Sequence, residues 1–204
     1  MAKINTVDYN DIPKKAKEIR TYGQDINKLM VNAYKDVQNM KKDWYGKRYN
    51  TLVDQFNSLT ADVNKLLKLV VGDLPYMLET VANNYSQADT GNNATTAQNT
   101  APTKISNLPK STEVGMRFIS SSVTTTKSKV EKAFNDAVSK MNSIGTTFNK
   151  ITWTSDAATT FKQDFTKLKN NITASFNSIK TAFNKLVKEA TADIEKAEKS
   201  NTVS

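Results

Sequence analysis

Asp43-Trp44-Tyr45-Gly46 and Thr152-Trp153-Thr154-Ser155-Asp156-Ala157-Ala158 carry the chain's only two Trp residues. Each sits where one helical pattern stops and the next begins. From each Trp onward the two halves run in step: Phe56 matches Phe165, Leu59 Leu168, Val63 Ile172, Leu67 Phe176, Val70 Ile179 and Met77 Leu186. That is an internal duplication with a period of about half the chain. The reading is two long helical hairpins, each with a Trp at its bend.

Composition agrees with an all-α fold. The 204 residues are 38% hydrophobic and include six Gly and four Pro, so helix breakers are few. Cys is absent, which removes disulfides, thiol catalysis and thiolate metal sites. His is absent too, and with it the commonest general base and most zinc sites. An enzyme would have to be built from Asp, Glu, Lys and Tyr, and no acid cluster falls on one face at a useful spacing. A non-enzymatic role without a cofactor or metal is expected.

Residues 1–15 have no apolar run behind a basic start, so no secretory signal peptide is expected there. No stretch approaches the ~20 apolar residues of a membrane span. The net charge is +9. Lys residues coating solvated helix faces account for it; attraction to an anionic lipid surface or cell-wall polymer is the sharper alternative. Nucleic acid is not an expected partner, because no basic cluster interleaves with aromatics.

Residues 1–10 read as a short flexible lead. Asp11 can cap the first helix, and Pro13 suits its first turn. Ile12, Ile19, Ile26, Ala33 and Met40 form one apolar line, and Ala16, Met30, Val37 and Trp44 another. At ~1.5 Å per residue this helix is about 45 Å long. After the bend the stripe resumes with Tyr49, Leu52, Phe56, Leu59, Val63, Leu66 and Val70. Gly72-Asp73-Leu74-Pro75 predicts a kink or short break. The pattern continues to Tyr85, with Gly91 as a C-terminal cap.

The stretch up to Lys110 turns to Asn, Thr, Ala and Gln and reads as a flexible linker. About 25 residues can extend to ~80 Å. Hairpins with bends at opposite ends need such a crossing, whereas bends at one end would not. The antiparallel arrangement is therefore expected. Ser120 to Thr126 is weak as helix. Beyond it run Val130, Phe134, Ala137, Met141, Ile144, Phe148 and Ile151, then a fourth helix from Phe161 to Ile194. The expected organisation is a first hairpin at 1–90 bent at Trp44–Gly46, a flexible linker at 91–110 and a second hairpin at 111–204 bent at Trp153–Ser155. The two pack as an elongated four-helix bundle, an intramolecular pseudo-dimer.

The Trp-X-Gly bend between long helices resembles the WXG family of small helical-hairpin proteins, exported by the type VII secretion systems of Gram-positive bacteria and mycobacteria. The second copy, Trp153 to Ala158 followed by Phe161, is close to the family's usual run, except that Ser155 stands where Gly is expected. The first copy, Trp44-Tyr45-Gly46, keeps the Gly but has Tyr49 and Leu52 in place of the alanines. The residue two after the Trp caps the next helix, where Ser and Gly both serve, so a Gly→Ser exchange there should cost little. The family's other signature is a Tyr followed four residues later by an acid. Tyr85-Ser86-Gln87-Ala88-Asp89 fits it, and residues four apart share a helix face. Asp89 falls at a helix C-terminus, where the dipole disfavours an anion, and no local stabilising reason for it is apparent.

The resemblance implies a secreted substrate or escort of a type VII system. It would be recognised by the export ATPase through the bend (Trp153, Thr154, Ser155) and the tail signal (Tyr85, Asp89) together, with Trp44 at the far end. A larger co-secreted toxin is a possible second partner by the same resemblance. A helical structural or membrane-active protein unrelated to this machinery is the alternative, and leakage of anionic vesicles would distinguish it.

Overall fold

A computed structural model describes residues 7–153 and 155–201, omitting the side chain of Ala157. Among the described residues the chain is all-α apart from one two-stranded ladder and an isolated bridge. Its elements are α1 (Ile12–Asn39), β1 (Trp44–Tyr45), α2 (Lys47–Leu67), α3 (Leu74–Thr90), β2 (Arg117–Phe118), α4 (Ser120–Asn149) and α5 (Asp156–Ser200). The apolar positions read from the sequence are the buried ones: Ile12, Ile19, Ile26 and Met30 in α1, Leu52, Phe56 and Val63 in α2, and Phe134, Met141, Phe176 and Phe183 in α4 and α5. Burying them is the main stabilising term, at ~1.5–3 kcal/mol for each large side chain.

Polar contacts fix the helix directions. Asp43 accepts from Ser122 Oγ at 2.5 Å, Asp25 pairs with Lys140 at 2.8 Å, and Asp8 N donates to the Thr152 carbonyl at 3.4 Å. Positions fall along α1 as they rise along α4, so those two helices are antiparallel. Lys169 reaches Asn142 and Lys180 reaches Asn135, which makes α4 and α5 antiparallel as well. Arg48, at the start of α2, pairs with Glu189 and Asp193 near the end of α5. Midway, each long helix contributes one aromatic ring. Tyr34 meets Phe56 edge-on at 5.3 Å, Phe56 meets Phe134 at 5.8 Å, and Phe134 stacks on Phe176 at 4.1 Å. The Tyr34 hydroxyl donates to the Phe56 carbonyl at 2.8 Å, and burial pushes this phenol up to about 12.

At Gly72 to Pro75 the helix does not break. It widens into a π-helical turn, Lys68–Asp73, and Pro75 enters the first turn of α3. Gly23 of α1 lies under this turn, where a Cβ would meet the Val70 carbonyl oxygen at 2.8 Å. Contrary to the weak propensity of its Ser/Thr run, α4 is helical from Ser120. The Ile119 amide donates to the Asp43 carbonyl at 2.9 Å, Val123 is buried, and Thr125 bonds back to the Ser121 carbonyl. The cap of α1 also differs from expectation. Asp11 makes no side-chain cap bond; the Asp8 carboxylate instead accepts from the amides of Asn10 and Asp11.

The connection after α3 spans a helix length, as its size suggested, but the expectation of a flexible linker is corrected. Side chains of asparagine grip both backbone groups of single residues along it: Asn27 with Thr103, Asn64 with Ile105, Asn57 with Leu108 and Asn50 with Ser111, all at 2.7–3.2 Å. Ile105 and Leu108 are buried. Seven helical residues rise ~10.5 Å and three extended ones advance ~10 Å, so asparagines seven apart on α2 meet every third strap residue. Arg20 and Glu79, paired through two bonds of 2.8 and 2.9 Å, hold the carbonyl and amide of Gln98 between them. The strap also crosses Gly72 so closely that a Cβ there would meet Asn99 Oδ1 at 2.7 Å.

Candidate functional site

The two bends lie at opposite ends of α4. Trp44 pairs with Phe118, two residues before α4 begins, and Trp153 bridges to Val7 just after α4 ends. Thirty helical residues, ~45 Å, separate them.

The Trp44 end is built as core. Trp44 is 1% exposed, stacks on Phe183 at 6.1 Å, and meets Phe118 and Tyr49 edge-on at 5.6 and 6.2 Å. Tyr45 pairs with Arg117 in the two-stranded ladder. Gly46 is the residue before α2 and has φ 109° and ψ −171°. That conformation is essentially reserved for Gly. A Cβ at Gly46 would also lie 3.2 Å from the Gly115 carbonyl oxygen.

The Trp153 end is more open. Trp153 is half-buried, and Val7 pairs with it as an isolated antiparallel bridge. Thr154 lies outside the described residues. Ser155 caps α5: its φ is −154°, ordinary extended backbone, and its hydroxyl accepts from the Ala158 amide at 3.1 Å. The two positions therefore differ: the backbone at Ser155 suits either Ser or Gly, whereas Gly46 has a positive φ that favours Gly.

Tyr85 and Asp89 occupy the last two turns of α3, which closes on Gly91 in the left-handed conformation. Tyr85 is 37% exposed, and Asp89 is exposed one turn further on. Asp89 Oδ2 accepts from the Tyr9 hydroxyl at 2.5 Å. Asp89, for which the sequence showed no local stabilising reason, is thus held by a residue 80 positions away. The same bond is the main cause that raises the Tyr9 phenol above its usual range. Residues 7–9 thus touch the second bend through Val7 and the end of α3 through Tyr9. Asp89 and Trp153 share one end of the molecule; Trp44, Tyr45 and Gly46 are at the other.

No family model, curated protein or solved structure matches this chain. Its chemistry is accordingly read from its own residues. No helix among the described residues is long and apolar enough to cross a membrane, and no acid cluster among them could hold a metal ion. One end of the molecule carries three of the residues singled out from the sequence. These supply an exposed phenol, a carboxylate on the same helix face and a half-buried indole.

Residues 1–6 of the expected flexible lead lie outside the described residues, while Val7 and Tyr9 are held by Trp153 and Asp89. Val7 forms a single isolated bridge and Tyr9 lies in the turn before α1, and three residues are too few to show a pattern in the sequence.

Proposed function

We propose that this chain is a secreted, non-enzymatic substrate or escort of a type VII secretion system. It is a single-chain pseudo-dimer of two helical hairpins packed as an elongated four-helix bundle. The export ATPase reads the Trp153 bend and the Tyr85/Asp89 tail as one composite signal. A larger co-secreted toxin is the cargo if the molecule acts as an escort.

The observation that carries the reading is the convergence of Asp89 and the Trp153 bend on residues 7–9, with the Trp44 bend a helix length away. The two ends are also built differently, and that supports giving them different roles. Trp44 is sealed under Phe183 and Phe118 and closes the core. Trp153 is only half-buried, and the segment that bridges to it, residues 7–9, also reaches an α3 end that presents an exposed Tyr and Asp. The Tyr85 hydroxyl has no hydrogen-bond partner among the described residues, so its ring is available to a binding protein.

The test is expression in a bacterium with a type VII system, measuring the protein in the medium. The parent should be exported, while Tyr85→Ala and Asp89→Ala stay in the cells with little change in thermal midpoint. Trp153→Ala should also be retained. Should it instead unfold, by the ~3–5 kcal/mol that truncating a buried aromatic costs, the indole is structural and its part in the signal is lost. Export of Tyr85→Ala and Asp89→Ala at the parental rate would overturn the targeting role.

A further inference from the structure

We propose that Tyr9 is a positioning residue of this recognition surface: it holds the Asp89 carboxylate in one orientation, so that a lysine or arginine of the binding protein meets it beside the Tyr85 ring. The inference rests on the composite-signal reading and adds a member from a third part of the chain.

Tyr9 and Asp89 are 80 positions apart in sequence, and nothing local brings them together. The lead is pinned on both sides. Ahead of Tyr9, Val7 bridges Trp153 and Asp8 N donates to the Thr152 carbonyl. Behind it, the Asp8 carboxylate accepts from the amides of Asn10 and Asp11, and the Asp8 carbonyl from the Ile12 amide at 3.1 Å, which locks the entry to α1. The Tyr9 hydroxyl is therefore delivered to Asp89 from a fixed base.

The bond positions the carboxylate without hiding it. A phenol donor is neutral, so the charge of Asp89 remains. A carboxylate also offers about four lone-pair directions, and Tyr9 occupies one on Oδ2. Among the described residues no Lys or Arg pairs with Asp89, so its charge is unspent among them. The phenol stays protonated and donating, because the anion beside it opposes loss of its proton.

Tyr85 is one turn before Asp89 on the same face, and a partner carrying a cation next to an apolar slot would engage both. An unheld Asp at a frayed helix end would have to be ordered on binding. Tyr9 makes that ordering part of the folded state, which is worth roughly three- to tenfold in recognition for one immobilised side chain.

The experiment uses the full chain, its export rate from a type VII-competent bacterium, and the thermal midpoint of each purified variant. Tyr9→Phe, which keeps the ring and removes the bond, should slow export roughly three- to tenfold while the midpoint stays within about two degrees. Asp89→Glu, which keeps the charge but moves the carboxylate off Tyr9, should show a similar loss. In the Asp89→Glu background, Tyr9→Phe should add nothing. Equal and additive losses from the two changes would mean that Tyr9 does not act through Asp89, and would overturn the inference. So would parental export of Tyr9→Phe while Tyr85→Ala and Asp89→Ala are retained; in that case the composite signal stands without Tyr9. Parental export of all three removes the signal itself.

Discussion

Gly46 and Ser155 hold the same place after their Trp residues, yet they solve different problems. Ser155 starts α5 from extended backbone and uses its hydroxyl to satisfy the Ala158 amide. Gly46 starts α2 from φ 109°, with the strap's Gly115 close against it. Gly46→Ala should therefore destabilise the protein by about 1–3 kcal/mol through backbone strain. Ser155→Gly should cost only a few tenths, and Ser155→Ala about 1 kcal/mol. Urea denaturation of the three variants checks the order, and equal losses for Gly46→Ala and Ser155→Gly would contradict it. The sequence identified both residues as caps. It did not distinguish them, because φ at a bend depends on how the returning chain approaches: β2 comes back to pair with Trp44 and Tyr45, whereas Val7 meets the other bend from outside α1.

At the scale of elements, the strap shows how polar residues can order a segment that lacks an apolar stripe. Asn50, Asn57 and Asn64 each satisfy an amide and a carbonyl that would otherwise lie half-buried against α2. Because each grips backbone rather than side chain, the strap is held with few constraints on its own sequence. Asn57→Ala leaves the Leu108 amide and carbonyl without their partner. It should cost about 1–3 kcal/mol and make the segment around Leu108 the first site cut in limited proteolysis. A variant as resistant as the parent would show that the ladder contributes little. The heptad recurrence of these asparagines was visible in the sequence beside the apolar positions. Its meaning depends on a partner segment some 40 to 60 residues away, which the recurrence does not name. The start of α4 was unclear for a related reason. Its Ser/Thr run is a poor helix former alone and becomes helical where Asp43 and Val123 anchor it.

At the scale of the whole molecule, α5 sets a minimum length. Its 45 residues extend ~67 Å, and α1 and α4 run antiparallel beside one another. A compact globule of 204 residues would have a radius of gyration of about 17 Å. Small-angle scattering should instead give ~20 Å or more, the value for a rod as long as α5. A result near the globular figure would mean that α5 is bent or broken in solution.

The sequence by itself determined the helical class, the apolar stripes, the positions of both bends and the need for a long crossing. These follow from periodicity and from the residues that start and stop helices, which act over a few turns of chain. Only the tertiary structure decided that the crossing is clamped, that Trp44 is sealed while Trp153 stays partly open, and that Tyr9 reaches Asp89. Each of those depends on which distant backbone arrives alongside, and a stretch of sequence does not name the segment, 40 to 80 residues away, that its polar groups will meet.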